Sequence, residues 1–428
     1  MSARPRREGR IATKVGASVA LALGLVASPA AASPQDILGQ GVRVMALGGT
    51  GTASATGSEA TWANPALLSL GRERQLTLGA MAVGSWVHAR GGGMPGDIDT
   101  QGMRGAILGA LLPLPLKAEM RDRVALGLSF FTPSDVVVRG RVLYPETPQY
   151  PLITDRLRSI ALQAALGIDV SHGIRIGAGV SALAAISGSV IVATDASGSV
   201  GTKVDDQLVT RYAPLVGASY DFLDDYRVGV TYRGKLEARF AIRIEVNDLG
   251  SLTVPPLNIA GLAQYDPWQV QAEVARVRGP VRVAVGALFR RWSSYPGAPE
   301  PTILCPPDKP ACLALGVTSP GFRDTVSPRA GVEIDVRDRP SAAVKVRAGY
   351  ALEPTPAPEQ TGASRLFDNT RHVLTAGAGV AIAQPVPLSL DLFGQAHLLA
   401  SRDHATPSGT VHTGGVLLAG GAAATVSF

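Results

Sequence analysis

The feature that most constrains this chain is a two-residue alternation of apolar with polar or small residues in many short segments. In VSPRAGVEIDV (326–336), apolar residues alternate with serine, arginine, glycine, glutamate and aspartate. The segments VRVAVGALFR (281–290), AVKVRAGY (343–350) and VGVTYR (228–233) repeat this pattern. Neighbouring residues of a strand point to opposite faces, so the alternation predicts strands with one apolar face. A soluble β-sandwich would alternate in the same way.

The lengths of the connections distinguish these two folds. Short connections are expected at 171–173, 221–225, 278–280, 337–340 and 384–387. Long ones are expected at 90–100, 132–156, 187–206, 236–265, 293–322, 353–370 and 400–413. Outer-membrane barrels have short periplasmic turns, long external loops and an even number of strands. The sequence therefore predicts an all-β, transmembrane antiparallel β-barrel of about fourteen strands.

The N-terminus predicts export. Residues 1–32 hold a basic stretch, a short apolar stretch (15–26) and three alanines (30–32), the pattern of a cleaved signal peptide. Five basic residues and one acid fall there, so the rest of the chain is close to neutral despite a net charge of +6. Nucleic-acid binding is therefore not expected.

Composition agrees with a barrel. Hydrophobic residues make up 46% of the chain and charged residues 17%, yet no run of 18 apolar residues occurs. The last segment alternates and ends in Phe428, which resembles the terminal signal of outer-membrane barrels. Aromatic residues are scarce, at 5%. The expected members of the interfacial girdles are Trp86, Trp268, Trp292, Tyr232 and Tyr350.

Two cysteines occur, Cys305 and Cys312, within CPPDKPAC. An exported chain meets oxidising conditions, so we expect a disulfide between them. No metal or other cofactor is expected, because the histidines lack nearby carboxylates at ligand spacing.

Residues 33–72 precede the first alternating segment and do not alternate themselves. They contain the glycine-rich GVRVMALGGTG (41–51) and the turn-forming Asn64-Pro65-Ala66. Proline fixes its own φ and keeps Asn64 out of the helical region. The glycines are not a dinucleotide loop, because the third glycine and a preceding strand are missing. We expect a compact plug inside the barrel of residues 73–428, where irregular backbone is tolerated.

These motifs resemble those of the FadL-type outer-membrane transporters for long-chain fatty acids and other hydrophobic compounds. The resemblance rests on GVRVMALGGTG, on Asn64-Pro65-Ala66, and on four later segments at 231–240, 322–334, 346–362 and 367–380. It implies a fourteen-stranded barrel closed by an N-terminal hatch. It also implies a mechanism in which external loops capture a hydrophobic molecule, the hatch moves, and the molecule leaves sideways through the wall. It implies no enzymatic activity.

The resemblance places candidate residues on this sequence. Asn64, Pro65 and Ala66 form the hatch motif. Gly127 and Pro133 lie in the third strand, where the resemblance implies an opening in the wall, since glycine marks bulges and proline lacks a ladder donor. For a ligand carboxylate the candidates are Arg290, Arg329, Lys345 and Arg347, which alternation places in the lumen; lumen charges also commonly pair with each other. The apolar segments 186–194 and 252–262 suit a capture groove.

Two other functions compete. A barrel of related build could serve protein export or surface assembly, like the type IX secretion shuttle. An outer-membrane lipase is the second, but no G-x-S-x-G motif occurs. We expect a monomer whose partners are a hydrophobic small molecule of the fatty acid class and outer-membrane lipid.

Overall fold

The computed structural model describes residues 35–428 except 95, 99, 101, 118–119, 135–147, 155–159, 195–199, 248–256, 298–301, 304–319, 340 and 363–364. The predicted signal peptide and both cysteines, Cys305 and Cys312, lie outside the described residues, so the cleavage and the disulfide stay predictions.

The described chain is mostly strand. The strands are β1 Gln75–Arg90, β2 Gly96–Ile98, β3 Met103–Pro113, β4 Val124–Pro133, β5 Ala161–Ser171, β6 Ile174–Thr194, β7 Val200–Phe222, β8 Tyr226–Arg233, β9 Leu236–Asn247, β10 Leu257–Asp266, β11 Gln269–Arg276, β12 Val281–Arg290, β13 Thr302–Ile303, β14 Thr325–Arg339, β15 Ala342–Glu353, β16 Arg371–Ile382, β17 Leu388–Thr406 and β18 Gly409–Ser427. The α-helices are α1 Gln35–Leu38, α2 Val42–Ala46, α3 Ala60–Ala63 and α4 Pro151–Thr154. The 3₁₀ helices are η1 Gly57–Glu59, η2 Pro65–Leu70 and η3 Trp292–Ser294. Within the described residues, no helix has the length and apolarity to cross a membrane.

Fourteen strands form the closed barrel that the sequence predicts. In order around the wall they are β1, β3 to β8, β11, β12 and β14 to β18, and each pairs antiparallel with the next. β18 pairs with β1 over the whole length of β1, from Gln75↔Ser427 to Arg90↔His412, and this ladder closes the circle. The short connections and both ends of the wall lie at one end, which in outer-membrane barrels faces the periplasm.

The alternation seen in the sequence separates the two faces of the wall. On β14, Val326 is 55% exposed on the lipid side, whereas Arg329 and Glu333 are buried in the lumen. Trp86, Tyr232 and Tyr350 are exposed on the lipid side, as expected for girdle residues. Trp292 is not, because it is buried in an aromatic cluster with Tyr265, Tyr295 and Phe322. The girdle prediction was wrong there because η3 turns the chain inward after β12.

Several of the expected external loops are strands instead. β6 and β7 remain paired from Ile174↔Tyr220 to Thr194↔Val200, and β17 and β18 pair up to Thr406↔Gly409. The connection expected at 236–265 contains the β9–β10 hairpin, and β9 pairs in parallel with β6 over 188–193. Ladder pairing satisfies backbone groups that an irregular loop would leave to water. Residues 186–194 of the first apolar segment and 257–262 of the second, which were expected to form a capture groove, therefore belong to one extended sheet above the wall.

The N-terminal segment, residues 35–71, lies inside the barrel and crosses its lumen. α2 contacts β15, β16 and β17, whereas η2 contacts β4 to β7 on the opposite side. Most of its residues are buried, including Leu38, Met45, Ala46 and Leu68.

Glycines of the wall give this segment its room. At nine lumen-facing positions an added Cβ would press against the N-terminal segment: Gly109, Gly127, Gly167, Gly177, Gly217, Gly229, Gly331, Gly349 and Gly377. At Gly177 the obstacle would be the backbone of Pro65 and Ala66, which cannot move like the end of a flexible side chain. This glycine belt lets backbone lie directly against backbone.

We expect Gly177→Val to displace the N-terminal segment from the wall, because overpacking of this kind costs about 1–3 kcal/mol. Limited proteolysis should cut within residues 35–71 faster in this variant, while heat-modifiable gel mobility reports that the barrel is still folded. Gly394→Val on the lipid face of β17 is the matched control, since nothing lies within 4 Å of its added Cβ. Equal cleavage of the two variants would contradict the role of the belt.

Candidate functional site

Asn64 is the residue that joins the N-terminal segment to the wall most directly. It is fully buried, and its backbone is extended at φ −165°, as Pro65 requires. Its Nδ2 donates to the carbonyl oxygen of Ala218 on β7 at 3.0 Å and to that of Thr52 at 2.7 Å. Its Oδ1 accepts from the backbone N–H of Ala66 at 3.1 Å and so caps η2. One side chain thus links the turn, the segment and the wall.

The apolar residues around this turn pack against the wall. Leu67 and Leu68 join an apolar cluster with Leu111, Ala165 and Leu215. Because Asn-Pro-Ala ends one short helix and starts the next, it directs both leucines to the same side. Leu67 and Leu68, the apolar residues that follow Asn64-Pro65-Ala66 in WANPALL (62–68), therefore form the contact between this turn and strands β3, β5 and β7.

The carbonyl groups at the end of α3 are satisfied by lumen side chains. Thr231 Oγ1 donates to the carbonyl oxygen of Ala63 at 2.7 Å, and Arg233 Nη1 donates to that of Trp62 at 3.2 Å. The guanidinium carbon of Arg233 also lies 4.5 Å from the centre of the Trp62 ring, a cation–π contact. These bonds provide the partners that a short helix end needs when it is buried.

The glycine-rich stretch binds an anion that belongs to the protein. Glu273 on β11 is 2% exposed, and its carboxylate accepts from the backbone N–H groups of Gly51, Thr52 and Ala53 at 2.7–3.1 Å. Ser54 Oγ donates to the same carboxylate at 3.0 Å. Successive N–H groups that converge in this way form an anion nest. The glycine-rich stretch, which the sequence already excluded as a dinucleotide-binding loop, thus holds a wall carboxylate.

A second anchor lies at α2. Arg43 Nε donates to Glu333 at 2.7 Å, and Arg347 Nε donates to the same carboxylate at 2.7 Å. Arg282 adds a third bond at 2.9 Å. Glu333 is therefore shared by three guanidinium groups, one of which comes from the N-terminal segment.

Glu59 caps α2 from within the segment. Its carboxylate accepts from the backbone N–H groups of Arg43 at 2.8 Å and Val44 at 3.1 Å. Burial raises the pKa of Glu59 to about 7, although these bonds and the charge of Arg43 oppose the shift. The cap is therefore held by a carboxyl group that titrates near neutral pH.

The predicted ligand-binding cations lie in the lumen, and each has an anionic neighbour. Arg290 and Arg329 both bond Glu353, and Arg329 Nη1 also donates to the carbonyl oxygen of Gly49. Arg347 bonds Glu333 and Asp391, and Lys345 Nζ lies 3.9 Å from Asp335. In this structure the arginines brace the wall and the N-terminal segment. Their contact with a ligand stays a prediction.

Three residues important to this arrangement were not singled out from the sequence: Arg43, Arg233 and Glu273. Alternation places Arg233 and Glu273 on the lumen face of their strands, so their orientation was readable. Their hydrogen-bond partners could not be predicted, because backbone N–H and C=O groups are present at almost every residue and carry no sequence signal. Arg43 stood within the GVRVM stretch that carried the family resemblance, without an assigned role.

Another part of the lumen contains a large apolar cluster. A continuous set of buried apolar side chains, here called the apolar path, runs from the N-terminal segment to the external loops. It includes Leu38 and Met45 of the segment, Met81, Val83, Val87, Met103, Ile107, Phe131, Phe393 and Leu399 of the wall, and Tyr150, Ile153 and Phe367 of the loops. Barrel interiors are usually polar, so this face of the lumen has an unusual character.

The wall is closed at the strand where the resemblance implies an opening. β4 pairs with β3 from Gly105↔Pro133 to Pro113↔Ala125 and with β5 from Val124↔Ile168 to Phe131↔Ala161, without a register shift. On the lumen side, Leu68 and Thr61 lie where a side chain at Gly127 would be. Gly127 therefore belongs to the glycine belt here, and an opening at Gly127 and Pro133 stays a prediction.

We expect Glu273→Ala to release residues 51–54 from the wall, because the buried N–H groups lose their acceptor. A lost partner of this kind costs about 1–3 kcal/mol, so amide hydrogen exchange at Gly51, Thr52 and Ala53 should quicken about tenfold or more. Glu73→Ala, an exposed glutamate just outside the segment, is the control and should leave these amides unchanged. Unchanged exchange in Glu273→Ala would show that the nest does not hold the segment.

We expect the packing of α2 to weaken as pH rises. The pKa of Glu59 is raised in the packed state. Its contribution to the stability of the packed segment is therefore complete below the ordinary pKa of 4.5 and is lost as pH rises through about 7. Exchange protection factors of residues 43–55, corrected for intrinsic rates, should fall about tenfold or more between pH 5 and pH 8. Glu59→Gln should flatten this dependence. The same slope in both proteins would assign it to another group.

Comparison with known proteins places this arrangement in a family. Residues 20–409 match the family model described as "Outer membrane protein transport protein (OMPP1/FadL/TodX)". The curated proteins that were searched contain no match.

Solved structures of the same build exist. A FadL homologue of Pseudomonas aeruginosa superposes with a TM-score of 0.57 at 16% identity, covering 93% of this chain and 98% of its own. The toluene transporter TodX of P. putida gives 0.56 at 14%, with coverages of 92% and 99%. The toluene transporter TbuX of Ralstonia pickettii gives 0.52 at 16%, with 92% and 99%. At these identities the likeness establishes the fold. Together with the family match over most of its length, it shows that the chain belongs to the OMPP1/FadL/TodX family of outer-membrane transport barrels and is not an enzyme.

Proposed function

We propose that this barrel takes up hydrophobic small molecules across the outer membrane, of the class of long-chain fatty acids and similar compounds. External loops capture the molecule, the N-terminal segment acts as a hatch and moves, and the molecule leaves sideways into the membrane. The barrel works as a monomer in the Gram-negative outer membrane.

The apolar path carries this proposal. It joins the loop residues Tyr150 and Phe367 to Leu38 and Met45 of the N-terminal segment by contacts between apolar side chains. A water-filled channel would gain nothing from such a lining, whereas an apolar ligand exchanges water for apolar contact along it. The hatch lies at the inner end of the apolar path, so its displacement would extend the path further into the barrel.

The charged half of the lumen supports recognition by apolar contact more than by charge. Arg290 and Arg329 share the carboxylate of Glu353, so a ligand carboxylate would have to compete with it. An uncharged molecule meets no such competition. Toluene, which is named for two of the similar structures, is therefore worth testing beside a fatty acid.

The first experiment is native mass spectrometry of the protein purified from membranes in detergent, followed by uptake of tritiated oleate and tritiated toluene into vesicles that contain it. We expect a retained apolar molecule and uptake above that of empty vesicles. A protein partner that co-purifies with an empty barrel would favour the export function instead.

We expect Ile107→Asn, which places an amide in the apolar path, to weaken retention and uptake about tenfold or more, because an unpaired buried polar group costs about 1–3 kcal/mol. Ser389→Asn is the control, since Ser389 faces the lumen near the periplasmic end, beside Asp391 and outside the path. Equal loss in the two variants would mean that the path does not bind the transported molecule.

A further inference from the structure

A cavity of about 450 Å³ lies between the N-terminal segment and the periplasmic end of the wall. Leu47 and Thr56 of the segment line its inner side. Its other sides include β11, β12, β15 and β16, next to the short connections at 277–280 and 383–387. Because these connections lie at the periplasmic end, the cavity, here called the vestibule, faces the periplasm. Among the described residues, its lining and the apolar path have no member in common.

Cationic side chains dominate the lining of the vestibule. Seven of the lining residues are arginine or lysine, whereas two are carboxylates, Glu333 and Asp391. Three more carboxylates pair with these cations from outside the lining: Asp221, Asp225 and Asp335. Seven positive charges therefore face five negative ones among the described residues. A cleft with an excess of one sign between low-dielectric walls concentrates ions of the opposite sign.

The charged groups behind this lining leave the excess in place. Arg175 and Asp169 add one charge of each sign, and they pair with each other at 3.6 Å. Glu59 bonds the N–H groups of α2 and adds at most one negative charge. The vestibule therefore keeps a net positive charge.

Three of the lining cations are held in place by the protein. Arg43, Arg227 and Arg347 are each at most 9% exposed. Arg43 and Arg347 share the carboxylate of Glu333, and Arg227 bonds that of Asp221. Because these guanidinium groups are already fixed, they lose little conformational freedom when an anion binds beside them.

Three other cations retain bonding capacity. Lys345 Nζ is 3.9 Å from Asp335 and Arg276 Nη2 is 3.7 Å from Asp225, distances that are too long for hydrogen bonds. Arg278, on the turn after β11, has no hydrogen bond or ion pair within the part of the chain that is described. An ammonium group offers three N–H donors and a guanidinium group five, so an anion with several oxygens suits this lining.

We propose that the vestibule binds a small soluble anion with phosphate groups, of the class of pyrophosphate, from the periplasm. Guanidinium groups match phosphate oxygens in geometry, and an anion of two or more charges offsets the excess of positive charge. Phospholipid headgroups carry the same chemical group, but the N-terminal segment and the inner side of the wall enclose the vestibule, which favours a soluble anion.

An anion in the vestibule would bond Arg43 of the segment together with Arg282 and Lys345 of the wall, all of which line it. It would therefore stabilise the packed position of the N-terminal segment, since a ligand stabilises the state that binds it. The binding site does not depend on the proposed function, whereas an effect of the anion on uptake rests on it.

The test of binding is isothermal titration calorimetry of the protein in dodecyl maltoside, free of phospholipid, with pyrophosphate at constant ionic strength. Arg278→Gln with Lys345→Gln removes two lining cations that make no hydrogen bond to the N-terminal segment. Arg337→Gln with Arg339→Gln is the matched control, since it removes two exposed cations from the neighbouring turn, outside the vestibule. Heat-modifiable gel mobility reports that each barrel is folded.

We expect one pyrophosphate per barrel, at least tenfold weaker binding by the first double variant, and less than a twofold change in the control. No binding by the unmodified protein, or equal weakening in both double variants, would overturn the site. The titration is repeated in nanodiscs of phosphatidylcholine and of phosphatidylglycerol. Equal affinity in both is expected, whereas loss of binding in phosphatidylglycerol would show that lipid headgroups occupy the vestibule and would overturn the soluble source.

The effect on the N-terminal segment is measured by amide hydrogen exchange. Saturating pyrophosphate should slow exchange at residues 43–47 at least threefold, and the Arg278→Gln, Lys345→Gln variant should not respond at the same concentration. Unchanged or faster exchange with pyrophosphate bound would overturn the stabilisation of the segment.

Uptake of tritiated oleate and toluene into vesicles, with pyrophosphate on both sides, separates this inference from the proposed function. Uptake should fall at least threefold with pyrophosphate in the unmodified protein and stay constant in the Arg278→Gln, Lys345→Gln variant. Normal uptake with pyrophosphate bound would overturn the effect on transport. No uptake above that of empty vesicles, with binding intact, would overturn the proposed function and leave the anion site in place.

Discussion

The structure depends on one requirement: a stretch of irregular backbone at membrane depth must find partners for its N–H and C=O groups inside the protein. The N-terminal segment meets it with side chains of the wall and with its own Asn64. Glu273 accepts from three consecutive N–H groups, and Asn64 bonds the carbonyl of Ala218. On the opposite wall Gln395 Nε2 donates to the carbonyls of Leu38 and Met45. The polar side chains of the lumen therefore supply hydrogen-bond partners for the backbone of this segment.

The need to anchor this segment explains why one part of the lumen is lined by polar side chains and another part by apolar ones. The glycine belt and the buried charges hold the segment in place, and they occupy the positions where a water-filled channel would have its polar lining. The apolar path occupies the rest, above the segment and against β1, β3, β17 and β18. A molecule in the path meets apolar side chains, whereas the segment that closes the path is also held by hydrogen bonds and ion pairs with the wall. Leu38 and Met45 belong to both the segment and the path, so movement of the segment would change the lining of the path.

Much of this was readable from the sequence because a barrel wall repeats one simple rule. Alternation in VSPRAGVEIDV separated the lumen face from the lipid face, and the connection lengths indicated fourteen strands. The extended hairpins at β6–β7 and β17–β18 were missed because polar residues alternate there too weakly to signal a strand. The anchoring of the segment could not be derived, since the partners of Glu273 are main-chain groups and the approach of Leu68 to Gly127 joins distant parts of the chain.

The closing ladder between β1 and β18 has a consequence for assembly. The N-terminal segment leads into β1 through a few residues, and β1 completes the circle with the final wall strand. The glycine belt holds the segment close to the wall, where backbone meets backbone at Gly177 and Gly229. Closing the circle therefore brings the strand that follows the segment against the last wall strand, so the packing of the segment in the lumen and the closing of the wall both depend on the placement of β1.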